Sequence, residues 1–481
     1  MGQGDKMFAS AIWSGFERIA GQSVQFIIGL ILARLLTPEE YGIVGLIVVF
    51  IAISEVFVDS GFASALIQKK DRNERDISTV FFFNLLLSLF FYLILWLVSP
   101  LIANFYEIPL LSPLLRVMAV TIVLNALFTV PSTLFSIELD FKTTAKVNLF
   151  SIVISGVIAI ILAFYEYGVW AIVWQGVIRS IVVVIGIWIC TKWRPVFVFS
   201  KKSFKHMFNY GSKLLASSLM ATFFSKLNDI LIGKYIGAKE LGLYSRGIQF
   251  TDFVFGIFSS IVNRIFLPSL APIQDNLTAL VHQTRKILKI TGIVVIPIFL
   301  CLFILAKPII LILLTEKWIM AVPIMKIFCF ARLISIFSSI NVNLLYVVGR
   351  TDLVLKQEYF KISVRVVLIL AALKFGIFYI ALAELTATCI HFFINSYHPG
   401  KIMSFGAIKQ LKALGKVFVS GILMLLPMIA MEIFLENNYL KVGLSIATGL
   451  PIYLICMRFF GITEFDEIIL RIKQFVSKKN S

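Results

Sequence analysis

Charged and amide side chains interrupt two apolar stretches near the start of this sequence, at spacings that place them on one face of a helix. Arg18, Gln22 and Gln25 follow one another at intervals of four and three residues, which forms a single polar stripe. Glu55 and Asp59 are one helical turn apart in the next apolar stretch. A charge at the centre of a bilayer costs about 2.5–3.5 kcal/mol on insertion scales. If these stretches cross a membrane, their charges must face a cavity or a partner.

Two later apolar stretches carry a similar mixture of charges. Lys226 and Asp229 are one turn apart with Asn228 beside them, and Arg246 and Asp252 lie in the following stretch. Acidic and basic groups occur in equal numbers across the four stretches, so one hypothesis is that they neutralise one another as ion pairs between helices. The other hypothesis is that they line a site for a polar ligand.

The acidic groups of these stretches are candidates for ion coupling. Burial disfavours two free negative charges, so a pair such as Glu55 and Asp59 is suited to bind H⁺ or Na⁺. We predict Glu55, Asp59, Asp229 and Asp252 as the coupling residues, with H⁺ or Na⁺ as the only cofactor and no metal site. No Gly-Lys step in the sequence is followed by Ser or Thr, so the chain lacks a Walker phosphate loop and ATP is not its direct energy source.

The elements that position these residues follow from the hydropathy pattern. The chain has 481 residues, of which 59% are hydrophobic, and apolar stretches alternate with short charged connectors. A bilayer core about 30 Å thick requires about 20 apolar residues per helix, and loose backbone groups are not tolerated there. We predict an all-α polytopic membrane protein with about 14 transmembrane helices. The predicted helices are 8–33, 42–66, 78–99, 112–135, 147–164, 168–190, 207–235, 242–268, 287–313, 319–347, 358–374, 377–397, 416–435 and 441–460.

The distribution of basic residues predicts the orientation. The chain has 44 Lys and Arg residues against 26 Asp and Glu residues, a formal net charge of +18. Most of the basic residues fall in alternate connectors, as the positive-inside rule requires when both termini are cytoplasmic. The basic composition therefore indicates a multi-pass protein of the cell inner membrane and no nucleic-acid partner. The basic residues predicted outside are Arg34, Lys234, Lys239, Lys317, Lys374 and Lys441.

An internal repeat indicates two related halves. The segment from Ala33 to Gly42 recurs at an offset of 200 residues as Gly233 to Gly242, so that Glu40 corresponds to Glu240. Both copies lie between the first two helices of a six-helix block, which predicts a parallel repeat about an axis along the membrane normal. Such repeats are typical of alternating-access transporters.

The repeat predicts the domain organisation. Two six-helix lobes are followed by two further helices, and the tail shows an amphipathic pattern formed by Phe465, Ile468, Ile469, Ile472 and Phe475. Such a tail lies on the inner leaflet or extends into solvent. The predicted boundaries are 1–190 for the N-lobe, 191–206 for a cytoplasmic linker, 207–397 for the C-lobe, 398–460 for helices 13 and 14, and 461–481 for the cytoplasmic tail.

The turn motifs resemble those of a known family. The segment Leu32 to Leu46, the Glu316-Lys317-Trp318 turn and the Gly349-Arg350 step are similar to the polysaccharide-transporter branch of the MOP flippase superfamily. The resemblance implies a flippase, and not an enzyme, that moves polyprenyl-pyrophosphate-linked oligosaccharides from the inner to the outer leaflet for surface polysaccharide assembly, including lipopolysaccharide O-antigen. Its implied partners are the lipid-linked oligosaccharide and polysaccharide assembly proteins.

The resemblance also implies a substrate site. Helices 1, 2, 7 and 8 line the central cavity in this family, and the last two helices shape a groove for the lipid tail. On this basis, basic side chains bind the pyrophosphate and amides bind sugar hydroxyls. The implied substrate residues are Arg18, Lys226 and Arg246 for the pyrophosphate, and Gln22, Gln25 and Asn228 for the sugars.

Two other classes compete with this interpretation. An ion-coupled exporter of the MATE type shares the twelve-helix core, but typically has no additional helix pair and favours acidic cavity residues. A membrane glycan polymerase or ligase needs a catalytic face, usually on a large outer loop, and all predicted outer loops here are short. The sequence therefore favours the flippase, with the MATE-type exporter as the alternative.

Overall fold

The computed structural model describes residues 20–59, 61–69 and 71–479, which are almost entirely helical, and no β-strand occurs among these residues. The helices are α1 Ala20–Leu35, α2 Pro38–Asp59, α3 Phe62–Gln68, α4 Glu74–Tyr106, α5 Leu111–Met118, α6 Val120–Ile137, α7 Phe141–Phe164, α8 Trp170–Cys190, α9 Lys201–Tyr235, α10 Ala238–Leu270, α11 Leu277–Ile304, α12 Ala306–Leu313, α13 Val322–Val347, α14 Thr351–Ala372, α15 Ile377–Met403, α16 Ala407–Phe434, α17 Asn438–Phe459 and α18 Thr463–Lys479.

Polar side chains in the short connectors determine where several helices begin. The Asn73 side chain accepts a hydrogen bond from the backbone N–H of Asp76 at 2.9 Å, and Asp76 Oδ2 accepts one from the Asn73 N–H at 3.0 Å. This reciprocal capping box satisfies two N–H groups that the first turn of α4 would otherwise leave unpaired. Asp140 and Asn276 cap α7 and α11 with single hydrogen bonds of the same kind. Each connector can therefore end one helix and start the next within a few residues.

The first compact unit is Met1–Gly242. Part of its core lies where α3, α4, α6 and α9 meet, and Phe62 and Met207 are almost fully buried there. Gly61 separates α2 from α3 with a φ of 69°, a left-handed conformation that glycine adopts without a Cβ penalty. The single helix predicted over 42–66 is therefore two helices, because the backbone reverses its hand at this glycine.

The second compact unit is Leu243–Ser481. Its core is formed mainly by α11, α13, α16 and α17, where Phe299 and Met424 are buried. The Tyr453 hydroxyl donates a hydrogen bond of 2.8 Å to the carbonyl oxygen of Ile293, which satisfies a buried polar group between α17 and α11. The two helices predicted to follow the twelve-helix core are thus packed into this unit.

The two copies of the internal repeat meet within the first unit. A Cβ atom built on Gly42 would lie 1.6 Å from the carbonyl oxygen of Ala238, and one built on Gly242 would lie 1.7 Å from that of Pro38. At the offset of 200 residues, Pro38 corresponds to Ala238 and Gly42 to Gly242, so the contact is reciprocal. Only glycine allows the starts of α2 and α10 to approach this closely, as in other membrane helix contacts.

The C-terminal helix α18 packs against the protein. Phe465 is 7% exposed, and Ile468 and Ile469 contact the core of the second unit. The sequence predicted that the face formed by these residues lies on the membrane. The three residues cover α11 and its neighbours instead, because α11 offers both apolar contacts and basic partners. The ion pairs between α11 and α18 are Lys286 Nζ–Glu467 Oε2 at 2.5 Å and Lys289 Nζ–Glu464 Oε1 at 2.8 Å.

The predicted fold class is confirmed. Eleven described helical stretches are long and apolar enough to cross a membrane, which makes the chain a multi-pass membrane protein. The other three predicted spans coincide with α1, α9 and α14, of which α1 is described only from Ala20 and α9 and α14 are richer in polar residues. The division between the compact units falls at Gly242, inside α10. The linker between two lobes at 191–206 remains a prediction.

Candidate functional site

The polar stripe of α1 is partly described. Arg18 lies outside the described residues, Gln22 is half-buried and Gln25 is exposed. Arg179 on α8 donates a hydrogen bond from Nη1 to the Gln25 side-chain oxygen at 3.3 Å. The sequence prediction selected Gln25 but placed no partner beside it, since Arg179 lies more than 150 residues further along the chain. One amide of the stripe therefore lies beside a guanidinium, a donor suited to anions.

A chain of neutral side chains holds the carboxylate of Glu55. The Asn125 amide on α6 donates a hydrogen bond to Glu55 Oε1 at 2.5 Å, and the Ser180 hydroxyl on α8 donates one to Asn125 Oδ1 at 3.0 Å. Ser180 is buried, whereas Asp59, one turn beyond Glu55, is exposed. Glu55 thus has a neutral hydrogen-bond donor, which positions its carboxylate without neutralising it.

Lys226 and Asp229 form an ion pair within α9. Lys226 Nζ lies 3.1 Å from Asp229 Oδ2, and both side chains are partly accessible. Asn228, between them in sequence, is only 5% exposed. Lys226 and Asp229, which the sequence places one helical turn apart, thus form a pair, whereas the amide of Asn228 is buried.

Asp252 and Arg246 have partners within the second unit. Asp252 Oδ1 accepts a hydrogen bond from Arg332 Nε on α13, and this guanidinium also lies 5.4 Å from the centre of the Phe255 ring. Arg246 donates a hydrogen bond to Gln249 one turn later in α10. The Asp252 carboxylate is therefore neutralised by a guanidinium, in contrast to that of Glu55 in the first unit.

A second guanidinium–carboxylate pair lies further along the same unit. Arg365 on α14 contacts Glu384 Oε1 on α15, with Nη2 at 2.6 Å and Nε at 2.8 Å. Glu384 is 8% exposed, so its charge needs a partner at this position. Asp252 and Glu384 are thus each engaged in an ion pair that connects two helices of the second unit.

The two units therefore offer different chemistry. In the first unit, the groups of interest are a carboxylate held by an amide, a guanidinium beside a glutamine, and a partly accessible lysine. They can donate hydrogen bonds to hydroxyl and phosphate groups and accept a proton or a cation. The sequence signal missed Asn125 and Ser180, and it singled out Arg179 only as a packing residue of its helix, because polar residues of different helices have no fixed spacing.

Curated relatives cover most of the chain. The teichuronic acid biosynthesis protein TuaB of Bacillus subtilis is 24% identical over 456 residues, which span 93% of this chain and 94% of that protein. The succinoglycan biosynthesis transport protein ExoT of Rhizobium meliloti is 24% identical over 322 residues, 66% of this chain and 65% of that protein. The lipopolysaccharide biosynthesis protein WzxC of Escherichia coli is 22% identical over 363 residues, 74% of this chain and 73% of that protein.

Two solved structures share the fold. The lipid II flippase MurJ in an inward closed conformation has a TM-score of 0.75 and 19% identity, and the match covers 96% of this chain and 100% of that one. An inward-facing multidrug resistance transporter of the MATE family, within the MOP superfamily, has a TM-score of 0.57 and 16% identity over 80% of this chain and 96% of that one. At these identities the likeness establishes the fold.

The family model described as "Polysaccharide biosynthesis protein" matches residues 31–323, which is more than half of the chain. The matched region includes Leu32 to Leu46 and the Glu316-Lys317-Trp318 turn, two of the three segments on which the family resemblance depended, whereas the Gly349-Arg350 step lies beyond it. The resemblance to the polysaccharide-transporter branch of the MOP superfamily is therefore confirmed, and the chain belongs to the polysaccharide biosynthesis protein family.

Proposed function

We propose that this protein is a flippase for polyprenyl-pyrophosphate-linked oligosaccharide repeat units. It moves them from the inner to the outer leaflet of the cell inner membrane by alternating access, for surface polysaccharide assembly. The observation that carries this proposal is the family match over residues 31–323 in a chain with eleven membrane-spanning candidates. A transporter requires such a bundle, whereas the connectors between the described helices are too short to hold the catalytic site of a glycan-modifying enzyme.

The side chains of the first unit suit a substrate with an anionic head and hydroxyl-rich sugars. Lys226 is partly accessible and supplies a positive charge, and Arg179 lies next to the exposed Gln25. Basic groups in a low-dielectric site bind pyrophosphate through charge-assisted hydrogen bonds, and amides bind hydroxyl groups. Arg18, Gln22, Asn228 and Arg246 belong to the same proposed substrate set, and polysaccharide assembly proteins are the proposed partners on the outer side.

The proposed coupling ion is H⁺ or Na⁺, with Glu55 and Asp59 as its site. Among the described residues, Glu55 makes no ion pair and accepts a hydrogen bond from the Asn125 amide, so the carboxylate can take up a proton or Na⁺ without breaking an ion pair. Asp229 and Asp252 are less suited to this role since each already contacts a basic side chain. Replacing Asp59 with asparagine tests this assignment: transport that still responds fully to the ion gradient would contradict it.

The flippase proposal is tested with a lipid extract from a strain that lacks this protein. Mass spectrometry should show complete oligosaccharide repeat units accumulating on polyprenyl pyrophosphate, while surface polysaccharide is lost. Both changes should reverse when the gene is restored. A normal lipid pool with intact surface polysaccharide would contradict the proposal and favour the MATE-type exporter, which shares the fold but has a lower TM-score and coverage.

A matched pair of variants tests the site. Lys226→Gln should slow transport about tenfold or more, which corresponds to the loss of one hydrogen bond to a charged group. Lys361→Gln is the control, because Lys361 also pairs with an acid three residues away, at 2.5 Å from Glu358, but lies on α14. Equal effects of the two substitutions on transport would show that Lys226 acts only through its ion pair.

A further inference from the structure

A basic cavity opens among α11, α16 and the turn between α17 and α18. Its volume is about 410 Å³, which falls within the range of about 300–1,000 Å³ typical of ligand sites. Apolar groups of Ala413, Val417 and Ile462 line one part of the cavity, and no acidic residue lines it. The polar side chains that line it are Arg285, Lys289, Lys409, Lys412, Lys416 and Thr463.

Contacts with the protein hold two of the basic side chains at the wall of the cavity. Lys416 Nζ donates a hydrogen bond of 2.9 Å to the carbonyl oxygen of Phe460 at the end of α17. The Arg285 guanidinium lies 5.6 Å from the centre of the Phe405 ring. Neither contact removes the positive charge, because a carbonyl oxygen and an aromatic ring are both neutral. These cations are therefore positioned but not neutralised.

Only one cation at this cavity is neutralised among the described residues. Lys289 pairs with Glu464 at 2.8 Å. The side chains of Lys409 and Lys412 make no hydrogen bond or ion pair with the described part of the protein, and the two residues are one turn apart on α16 at the cavity. Four positively charged side chains thus line a cavity of ligand size, and no acidic side chain of the described residues forms an ion pair with them.

The cavity lies at the depth of lipid headgroups. Lys289 immediately precedes the apolar run of α11, and Lys416 precedes that of α16, while Gly461 follows the apolar part of α17. The three helices therefore present their charged ends at one level, on the side that the positive-inside rule assigns to the cytoplasm. Basic pockets between membrane helices on this side are suited to anionic headgroups.

We propose that this cavity binds the phosphate group of an anionic phospholipid of the inner leaflet. The phosphate accepts charge-assisted hydrogen bonds from Lys409, Lys412, Lys416 and Arg285. The apolar side of the cavity and its depth favour a lipid over free inorganic phosphate, since a free ion gains nothing from Val417 and its neighbours. The site lies in the second unit and does not depend on the proposed transport activity.

The test is a titration of the purified full-length protein in detergent, followed by native mass spectrometry. The probes are phosphatidylglycerol, phosphatidylcholine with the same acyl chains, and inorganic phosphate. The wild-type protein should bind phosphatidylglycerol in preference to phosphatidylcholine, and inorganic phosphate should compete only weakly. Lys409→Gln together with Lys412→Gln should weaken phosphatidylglycerol binding by about 30-fold, from the usual contribution of a lysine near an anionic surface.

A matched double variant removes the same charge elsewhere. Lys201 and Lys205 are exposed at the start of α9 in the first unit, on the same predicted side of the membrane, and neither lines the cavity. Lys201→Gln with Lys205→Gln should leave phosphatidylglycerol binding unchanged, and Lys409→Arg with Lys412→Arg should retain it. Equal losses in the two glutamine variants, or no preference between the two lipids, would overturn the proposal. Competition by inorganic phosphate at the lipid's own affinity would overturn the lipid assignment.

Discussion

Replacing Gly42 with alanine tests the close contact between the starts of α2 and α10 in the first compact unit. The added methyl group would lie 1.6 Å from the carbonyl oxygen of Ala238, and this distance must increase to at least 3.0 Å before the contact is tolerable. The atom in the way belongs to the backbone, so no side-chain rotation relieves the clash. The starts of α2 and α10 must therefore move apart.

The expected loss of stability follows from two opposing effects. Overpacking a tight contact costs typically about 1–3 kcal/mol, and a backbone clash of this size belongs at the upper end of that range. Alanine is favoured over glycine by about 1 kcal/mol in a helix, which offsets part of the cost. The net loss of about 2 kcal/mol corresponds to a decrease in Tm of roughly 4–8 °C for a unit of about this size.

Thermal unfolding of the purified protein in detergent, followed by tryptophan fluorescence, measures this effect. Gly443→Ala is the matched control, because Gly443 lies within α17 with open space around its Cβ position. Its Tm should stay the same or rise, from helix propensity alone. A Gly42→Ala protein that unfolds at or above the wild-type temperature would refute the close approach of α2 to Ala238.

The reciprocal contact allows a second check on the same reasoning. Gly242→Ala should cost about as much as Gly42→Ala, because its Cβ would lie 1.7 Å from the carbonyl oxygen of Pro38. Once one substitution has separated the two helix starts, the second clash is already partly relieved. The double variant should therefore lose less stability than the two single losses together, and strict additivity would indicate two independent contacts.

Three further predictions follow from the ion pairs and hydrogen bonds. Arg332→Met should lower the free energy of unfolding by about 1–3 kcal/mol because it leaves the Asp252 carboxylate unpaired, and adding Asp252→Asn should recover part of the loss in the same thermal assay. Asn125→Leu should cost a similar amount, about 1–3 kcal/mol, since Glu55 loses its donor, and an unchanged Tm would contradict the contact. Burial alone would raise the pKa of Glu464, but its hydrogen bond and ion pair with the lysine on α11 outweigh this effect and hold the pKa below its ordinary value. The docking of α18 should therefore be stable at pH values above the ordinary glutamate pKa and weaken as the pH falls through the lowered pKa of Glu464. Hydrogen–deuterium exchange of α18 measures this effect, and equal exchange at neutral and acidic pH would contradict it.

The helices could be predicted from the sequence because hydropathy is a local property. Thirteen of the fourteen predicted spans coincide with a helix or a pair of helices, the first does so over its described part from Ala20, and only the breaks inside some spans were missed. The break at Gly61 illustrates why: a glycine within an apolar run is compatible with a continuous helix, and the left-handed φ of 69° becomes apparent only from the packed backbone.

The partners in the candidate site could not be predicted, because they come from distant parts of the chain. Glu55 and Asn125 are 70 residues apart, and Arg332 and Asp252 are 80 residues apart. Helical periodicity relates residues three or four positions apart and carries no information on which helices are neighbours. The pairing of Lys226 with Asp229 could be recognised from the sequence only because both residues lie on one turn of the same helix.

The reciprocal contact between the repeat copies has an evolutionary consequence. Pro38 meets Gly242 and Gly42 meets Ala238, which is the pattern of an isologous interface, where the same patch of two identical subunits makes both halves of the contact. An ancestral chain that carried one copy could thus have formed a twofold dimer through this patch before its gene was duplicated and fused. Both copies keep glycine at Gly42 and Gly242, the positions where each one limits the size of the other.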